Sequence, residues 1–119
     1  MRVLVTGDRN WSDVDKVAAV LSKLPPDTVL VHGAARGADT IAGVVAEALG
    51  FKVIAVPADW DKHGRAAGPI RNGVMLRDHG PFDLVCVFHS DLSKSKGTAN
   101  MVEQLRTEGY GPDRFVFVR

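Results

Sequence analysis

The chain has 119 residues, of which 45% are hydrophobic and 24% charged, and its formal net charge is +1. That is the size of one domain with a real core, and the near-neutral balance excludes a polybasic or acidic tail. One cysteine, Cys86, excludes an intrachain disulfide. No apolar stretch is long enough to span a bilayer, and Gly7-Asp8 cuts the first apolar run too short for a signal sequence, so a reducing, cytoplasmic setting is expected.

Arg2 to Thr6 reads as a first strand, closed by Gly7. Trp11 to Leu24 carries Val14, Val17, Ala18, Val20, Leu21 and Leu24 at helical spacing, with Ser12 as the expected N-cap and Pro25-Pro26 as the stop. Thr28 to His32 is a second strand, and Gly33 to Asp39 a glycine-bounded loop. Thr40 to Leu49 is a second helix, ended by Gly50. Lys52 to Val56 is a third strand, ended by Pro57. Asp59 to Pro69 is polar and glycine-containing, and reads as a long loop. Ile70 to Asp78 is helical by spacing, and Asp83 to Phe88 is a fourth strand. Ser90 to Lys96 is a polar loop, Thr98 to Glu108 a helix, and Arg114 to Val118 a fifth strand. Continuous apolar strands that alternate with amphipathic helices predict a single Rossmann-like α/β domain over residues 1–119. It has about five parallel strands and helices on both faces.

In such a sheet, ligands bind outside the carboxyl ends of the strands. The loops expected there hold Arg9, Arg36, Lys62, Arg65, Lys94 and Lys96, together with Gly7, Gly33, Gly37, Gly64, Gly68 and Gly97. Cations and glycines gathered on one rim of a neutral protein suit an anion. Gly33-Ala34-Ala35-Arg36-Gly37-Ala38-Asp39 leads from a strand into a helix. Its glycines would admit a phosphate to the backbone, and the helix would offer unpaired N–H groups. It is neither the dinucleotide fingerprint nor a Walker A loop. Asp39 either joins the site or only caps the helix.

Arg9 is a candidate phosphate clamp, and Trp11 either stacks on a base or anchors packing. Asp59, Trp60, Gly68, Arg71 and Asn72 form the densest polar constellation, with Arg71 and Asn72 expected to open a helix toward the rim. Trp60 offers a flat face there. Asp59 would accept from a ribose hydroxyl, act as a base, or simply form the turn. Gly97-Thr98 is a second phosphate-friendly nest, with Thr98 as a helix cap. Glu103 lies further along that helix. His32, His63, His79 and His89 are scattered and form no cluster with cysteine, so no metal and no cofactor are expected. No nucleophile elbow is present, and Cys86 lies mid-strand.

Several motifs carry a resemblance. They are Thr6-Gly7-Asp8-Arg9-Asn10-Trp11, His32-Gly33-Ala34-Ala35-Arg36-Gly37-Ala38-Asp39, Pro57-Ala58-Asp59-Trp60 with Gly64, Ala67-Gly68-Pro69-Ile70-Arg71-Asn72 with Met75, and Ser95-Lys96-Gly97-Thr98. In this order, over essentially the whole chain, they resemble the YspA-like branch of the SLOG superfamily. That superfamily joins the DNA-processing protein DprA to the LOG nucleotide phosphoribohydrolases.

The resemblance implies a Rossmann-like fold and a pocket for a nucleotide or nucleotide-derived ligand, in a class of small proteins found in bacteria and their phages. It also implies a homo-oligomer. In the LOG enzymes an arginine on the helix after the third strand, and a glutamate after a P-G-G-x-G-T segment, serve N-glycosidic cleavage. Arg71 matches the first. At the second, Ser93 to Asn100 retains only Gly97-Thr98, so a hydrolase would have to draw its carboxylate from Asp59 or Glu103. Nucleotide binding is therefore the leading expectation, with a nucleoside 5′-monophosphate phosphoribohydrolase as the alternative. Single-stranded DNA binding of the DprA kind ranks third, because a net charge of +1 and few aromatics make a poor stacking groove.

Overall fold

A computed structural model describes all of residues 1–119. At its centre lies β1 (Arg2–Gly7), whose alternate side chains face opposite ways. Val3 and Val5 enter one fully buried cluster, and Leu4 enters another. The remaining strands are β2 (Val29–His32), β3 (Lys52–Ala55), β4 (Leu84–Phe88) and β5 (Phe115–Val118). All pair in parallel, in the order β3-β2-β1-β4-β5, as one sheet. Parallel pairing demands crossovers, and the helices supply them.

On one face lie α1 (Val14–Leu21) and α2 (Ala38–Ala48). They place Val17, Leu21, Ala38, Ala42 and Ala46 against Val3, Val5, Leu30, Cys86 and Phe88. Alanines at every fourth position let α2 approach the sheet closely. On the other face, α4 (Ala67–His79) and α5 (Gly97–Thr107) bring Met75, Met101, Val102 and Leu105 onto Leu4, Val31, Val85 and Val87. A one-turn helix, α3 (Trp60–His63), precedes α4. The α/β sandwich with helices on both faces is thus the observed fold. Cys86 is buried, and burial pushes its thiol up to about 12. No helix is long and apolar enough to cross a membrane.

Some local expectations need correction. Asp13, not Ser12, caps α1: the helix starts at Val14, so the Asp13 carboxylate accepts from the Lys16 amide at 3.0 Å. Asp59 to Pro69 is not a loop. Asp59 caps α3 by accepting from the Lys62 amide at 3.1 Å, a 3₁₀ turn spans Gly64–Ala66, and α4 is already under way at Ala67. Pro69 falls in the first turn of α4, where a missing amide costs nothing. Arg71 and Asn72 therefore lie in the second turn and do not open the helix. Thr98 does not cap α5. The Ser95 hydroxyl does, accepting from the amides of Thr98 and Ala99 at 3.1 and 3.2 Å.

Candidate functional site

The strand order reverses between β1 and β4, so the crevice of this sheet opens at the ends of β1, β2 and β4. β2 ends in His32 and turns through Gly33 to Gly37 into α2. Asp39 does not cap α2, because it lies inside the first turn and Gly37 is the cap residue. Its buried carboxylate instead reaches back, accepting from the amides of Gly33 at 3.0 Å and Ala35 at 3.3 Å. Burial pushes the Asp39 carboxyl up to about 6 and outweighs the opposing pull of those amides and of Arg71. The amides of Asp39 and Thr40 have no protein partner, so the positive end of α2 is open at this loop.

Arg71, from the second turn of α4, lies flat on Gly33. Nη1 donates to the Gly33 carbonyl, and Nε donates to Asn72 Oδ1 at 3.0 Å. A side chain at Gly33 would meet the guanidinium at 2.6 Å, which explains the glycine. Nη2 has no protein partner. Burial lowers the Arg71 pKa and neighbouring Asp39 raises it, but an arginine keeps its charge throughout the range in which proteins fold. His32 is held neutral in the same place: burial first, then Arg71, lowers its pKa. Its Nδ1 accepts from the Ala34 amide at 2.9 Å, and the ring packs on Gly43 of α2.

Asn72 is buried and its hydrogen bonds are spent. Nδ2 donates to the Gly97 carbonyl at 3.3 Å and to Asn100 Oδ1 at 3.1 Å. Gln104 adds bonds to Asn100 Oδ1 at 2.8 Å and to the Pro69 carbonyl at 3.1 Å. This network locks α4 to α5 and fixes the root of Arg71. Residues Asn100 and Gln104 escaped the sequence reading, although their spacing of four on one helix face was a usable signal. Gly97 is exposed at the start of α5, with open space beside it, whereas Thr98 is turned into the core. Glu103 is exposed on α5 beside Asn100 and Arg106 and makes no bond to the Arg71 cluster.

The β1 loop abuts the β2 loop. Gly37 has φ +75°, and a side chain there would strike the backbone of Asp8 and Arg9. Gly7 is pressed between Ala38 and the Phe88 carbonyl, each 2.5 Å from where its Cβ would be. Arg9 and Arg36 are exposed and pair with no carboxylate, as are Lys62, Arg65, Lys94 and Lys96. Trp11 is half-buried, its ring centroid 5.7 Å from that of Phe88 and its Nε1 donating to the Asp13 carbonyl. Trp60 is 56% exposed and its indole edge covers Gly68, one helical turn before Arg71. Across the β1–β4 crevice, His89 Nε2 faces Asp8 Oδ2 at 3.9 Å. The structure therefore links Gly33, Asp39, Arg71, Asn72 and Gly97 by hydrogen bonds, packs Gly7 and Gly37 where the β1 and β2 loops meet, leaves Arg9, Arg36 and Trp60 exposed, and leaves Asp59 and Glu103 outside.

Comparison with known proteins gives the family and a shared fold. Gene 61 protein of Mycobacterium phage D29 is 38% identical over 117 residues, covering 91% of this chain and 90% of that protein. DNA processing protein A (DprA) of Streptococcus pneumoniae superposes with a TM-score of 0.60 at 21% identity, over 98% of this chain. The chain spans only 58% of that DprA chain, and the likeness establishes a shared fold. The model of the YAcAr family, described as the YspA, cpYpsA-related SLOG family, matches residues 1–63, from β1 through α3. This chain belongs to the YspA, cpYpsA-related SLOG family.

Proposed function

We propose that this protein binds a nucleotide or nucleotide-derived ligand at the carboxyl edge of the sheet. The phosphate lies over the Gly33–Gly37 loop, against Arg71 and the open end of α2. One observation carries the reading: the Arg71 guanidinium is fixed by Gly33 and Asn72, yet Nη2 is unspent at the loop where the amides of Asp39 and Thr40 lack partners. A charge held in place in advance binds an anion without paying to order itself. The exposed, unpaired Arg9 and Arg36 add a field of the right sign. Membership of the SLOG family supports a partner of nucleotide or nucleic-acid type. Asn72 acts as the positioning residue for Arg71, and exposed Trp60 supplies an aromatic face at the same rim. A phosphoribohydrolase would need a carboxylate free to reach the substrate beside Arg71, whereas Asp39 is buried and holds the Gly33 and Ala35 amides, Asp59 is spent on capping α3 and Glu103 faces solvent.

The test is a thermal-shift screen with nucleoside mono-, di- and triphosphates, followed by analysis for released base. A ligand at 100 times its Kd adds about 2.7 kcal/mol, a rise of roughly 10 °C for a domain of this size. Stabilisation without base release is the expected result. Base release would establish the hydrolase instead, and no shift with any nucleotide would refute the proposal.

A further inference from the structure

The pair Asp8 and His89 lies at the switch point itself, one on each side of the β1–β4 crevice. His89 Nδ1 accepts from the Asp91 amide at 3.0 Å, so the ring proton sits on Nε2 and is aimed at Asp8. Asp8 Oδ1 is occupied by the Asn10 amide at 2.9 Å, which leaves Oδ2 as the acceptor facing that proton. The two atoms are 3.9 Å apart, too far to bond to each other. The His89 side chain is only 9% exposed and that of Asp8 25%, so the ring is fixed while the carboxylate remains open to the crevice.

A donor and an acceptor so placed suit a hydroxyl group, which donates and accepts at once. With bonds of about 2.8 Å to each, a bridging oxygen would subtend about 90° across the 3.9 Å gap. A phosphate would be repelled there by the Asp8 carboxylate. The ends of β2 and β4 flank that of β1, so Gly33, on which Arg71 lies, is one strand spacing from Asp8 and two from His89, about 5 and 10 Å along the sheet edge. Anion and hydroxyl subsites at those separations suit the phosphate and the ring hydroxyls of one sugar phosphate. We propose that Asp8 and His89 form a sugar-hydroxyl subsite that makes this protein select ribonucleotides over deoxyribonucleotides. The proposal rests on the nucleotide reading above and assigns it a sugar.

The experiment measures affinities of the wild-type protein for ribonucleoside 5′-phosphates and their 2′-deoxy and 3′-deoxy counterparts, then repeats them with Asp8→Asn and His89→Gln. Loss of a hydrogen bond to a charged partner predicts at least about a tenfold preference for ribose over one deoxy form. Asp8→Asn should erase that preference while binding of the deoxy form holds within about threefold, since only the hydroxyl contact is removed. His89→Gln, which keeps a donor, should retain part of it. Equal wild-type affinity for ribose and both deoxy forms would overturn the subsite and leave the nucleotide reading intact, even if neither variant folds. An undiminished preference in a folded Asp8→Asn protein would also overturn it. Absence of binding by any nucleotide would overturn both proposals together.

Discussion

Asp39 offers the sharpest quantitative prediction. Its carboxyl is pushed from 3.8 to about 6 because burial outweighs two amide bonds and Arg71. The shift is about two units, and at 1.36 kcal/mol per unit it is worth about 3 kcal/mol. Because the folded-state value is the higher one, the folded protein holds this proton more tightly than the unfolded chain does. The associated stability is fully present below pH 3.8 and disappears as pH rises through about 6. Asp39→Asn removes the titration and keeps an oxygen to accept from Gly33 and Ala35. Urea unfolding of both proteins from pH 3.5 to 7.5 cancels the other groups. The stability of wild type minus variant should fall by about 3 kcal/mol across that window. A difference that stays flat, or that grows with pH, would refute the claim that burial dominates at Asp39.

Two further substitutions test the local arguments. Gly37→Ala combines a positive φ with a collision against the backbone of Asp8 and Arg9, and should cost at least about 2 kcal/mol in urea unfolding. A change below 0.5 kcal/mol would mean that the β1 and β2 loops do not meet as described. Ser95→Ala removes the cap of α5 and should cost about 1 kcal/mol, whereas Thr98→Val, which removes the hydroxyl and keeps the buried volume, should cost less, because the Thr98 hydroxyl does no capping.

The fold was readable because each strand is an apolar run bounded by Gly, Pro or a polar turn, and β1, β2 and β4 need little else to be recognised. The region from Asp59 to Pro69 was not readable. Its single-turn helix is too short to show a period, and Gly64 and Pro69 are loop residues by habit that here sit at a turn and in a first helical turn. The caps were missed for a related reason: Ser12 and Asp13, like Ser95 and Thr98, are both competent, and only the backbone register decides between them. Glycine placement and charge singled out Gly33, Gly37 and Arg71 as candidates, and the structure sets Arg71 on Gly33 and gives Gly37 a positive φ. The back-reach of Asp39 to Gly33 and Ala35 was not, since an acid at the start of a helix looks like a cap from sequence. Pairing of Asp8 with His89 was invisible because it depends on β1 and β4 being neighbours, 81 residues apart in the chain. Asn72 pointed to the rim in the sequence reading, but the partners that consume it come from α5, a helix no local pattern places beside α4.

The central claim is that Arg71 is the anion-binding group of this edge. Its direct test is the affinity of wild type and Arg71→Ala for whichever nucleotide stabilises the wild-type protein most, measured by calorimetry after far-UV circular dichroism has shown that the variant folds. Loss of one charged, pre-positioned hydrogen-bonding group predicts affinity weakened by about tenfold to a hundredfold. A folded Arg71→Ala protein that binds that nucleotide as tightly as wild type would contradict the account.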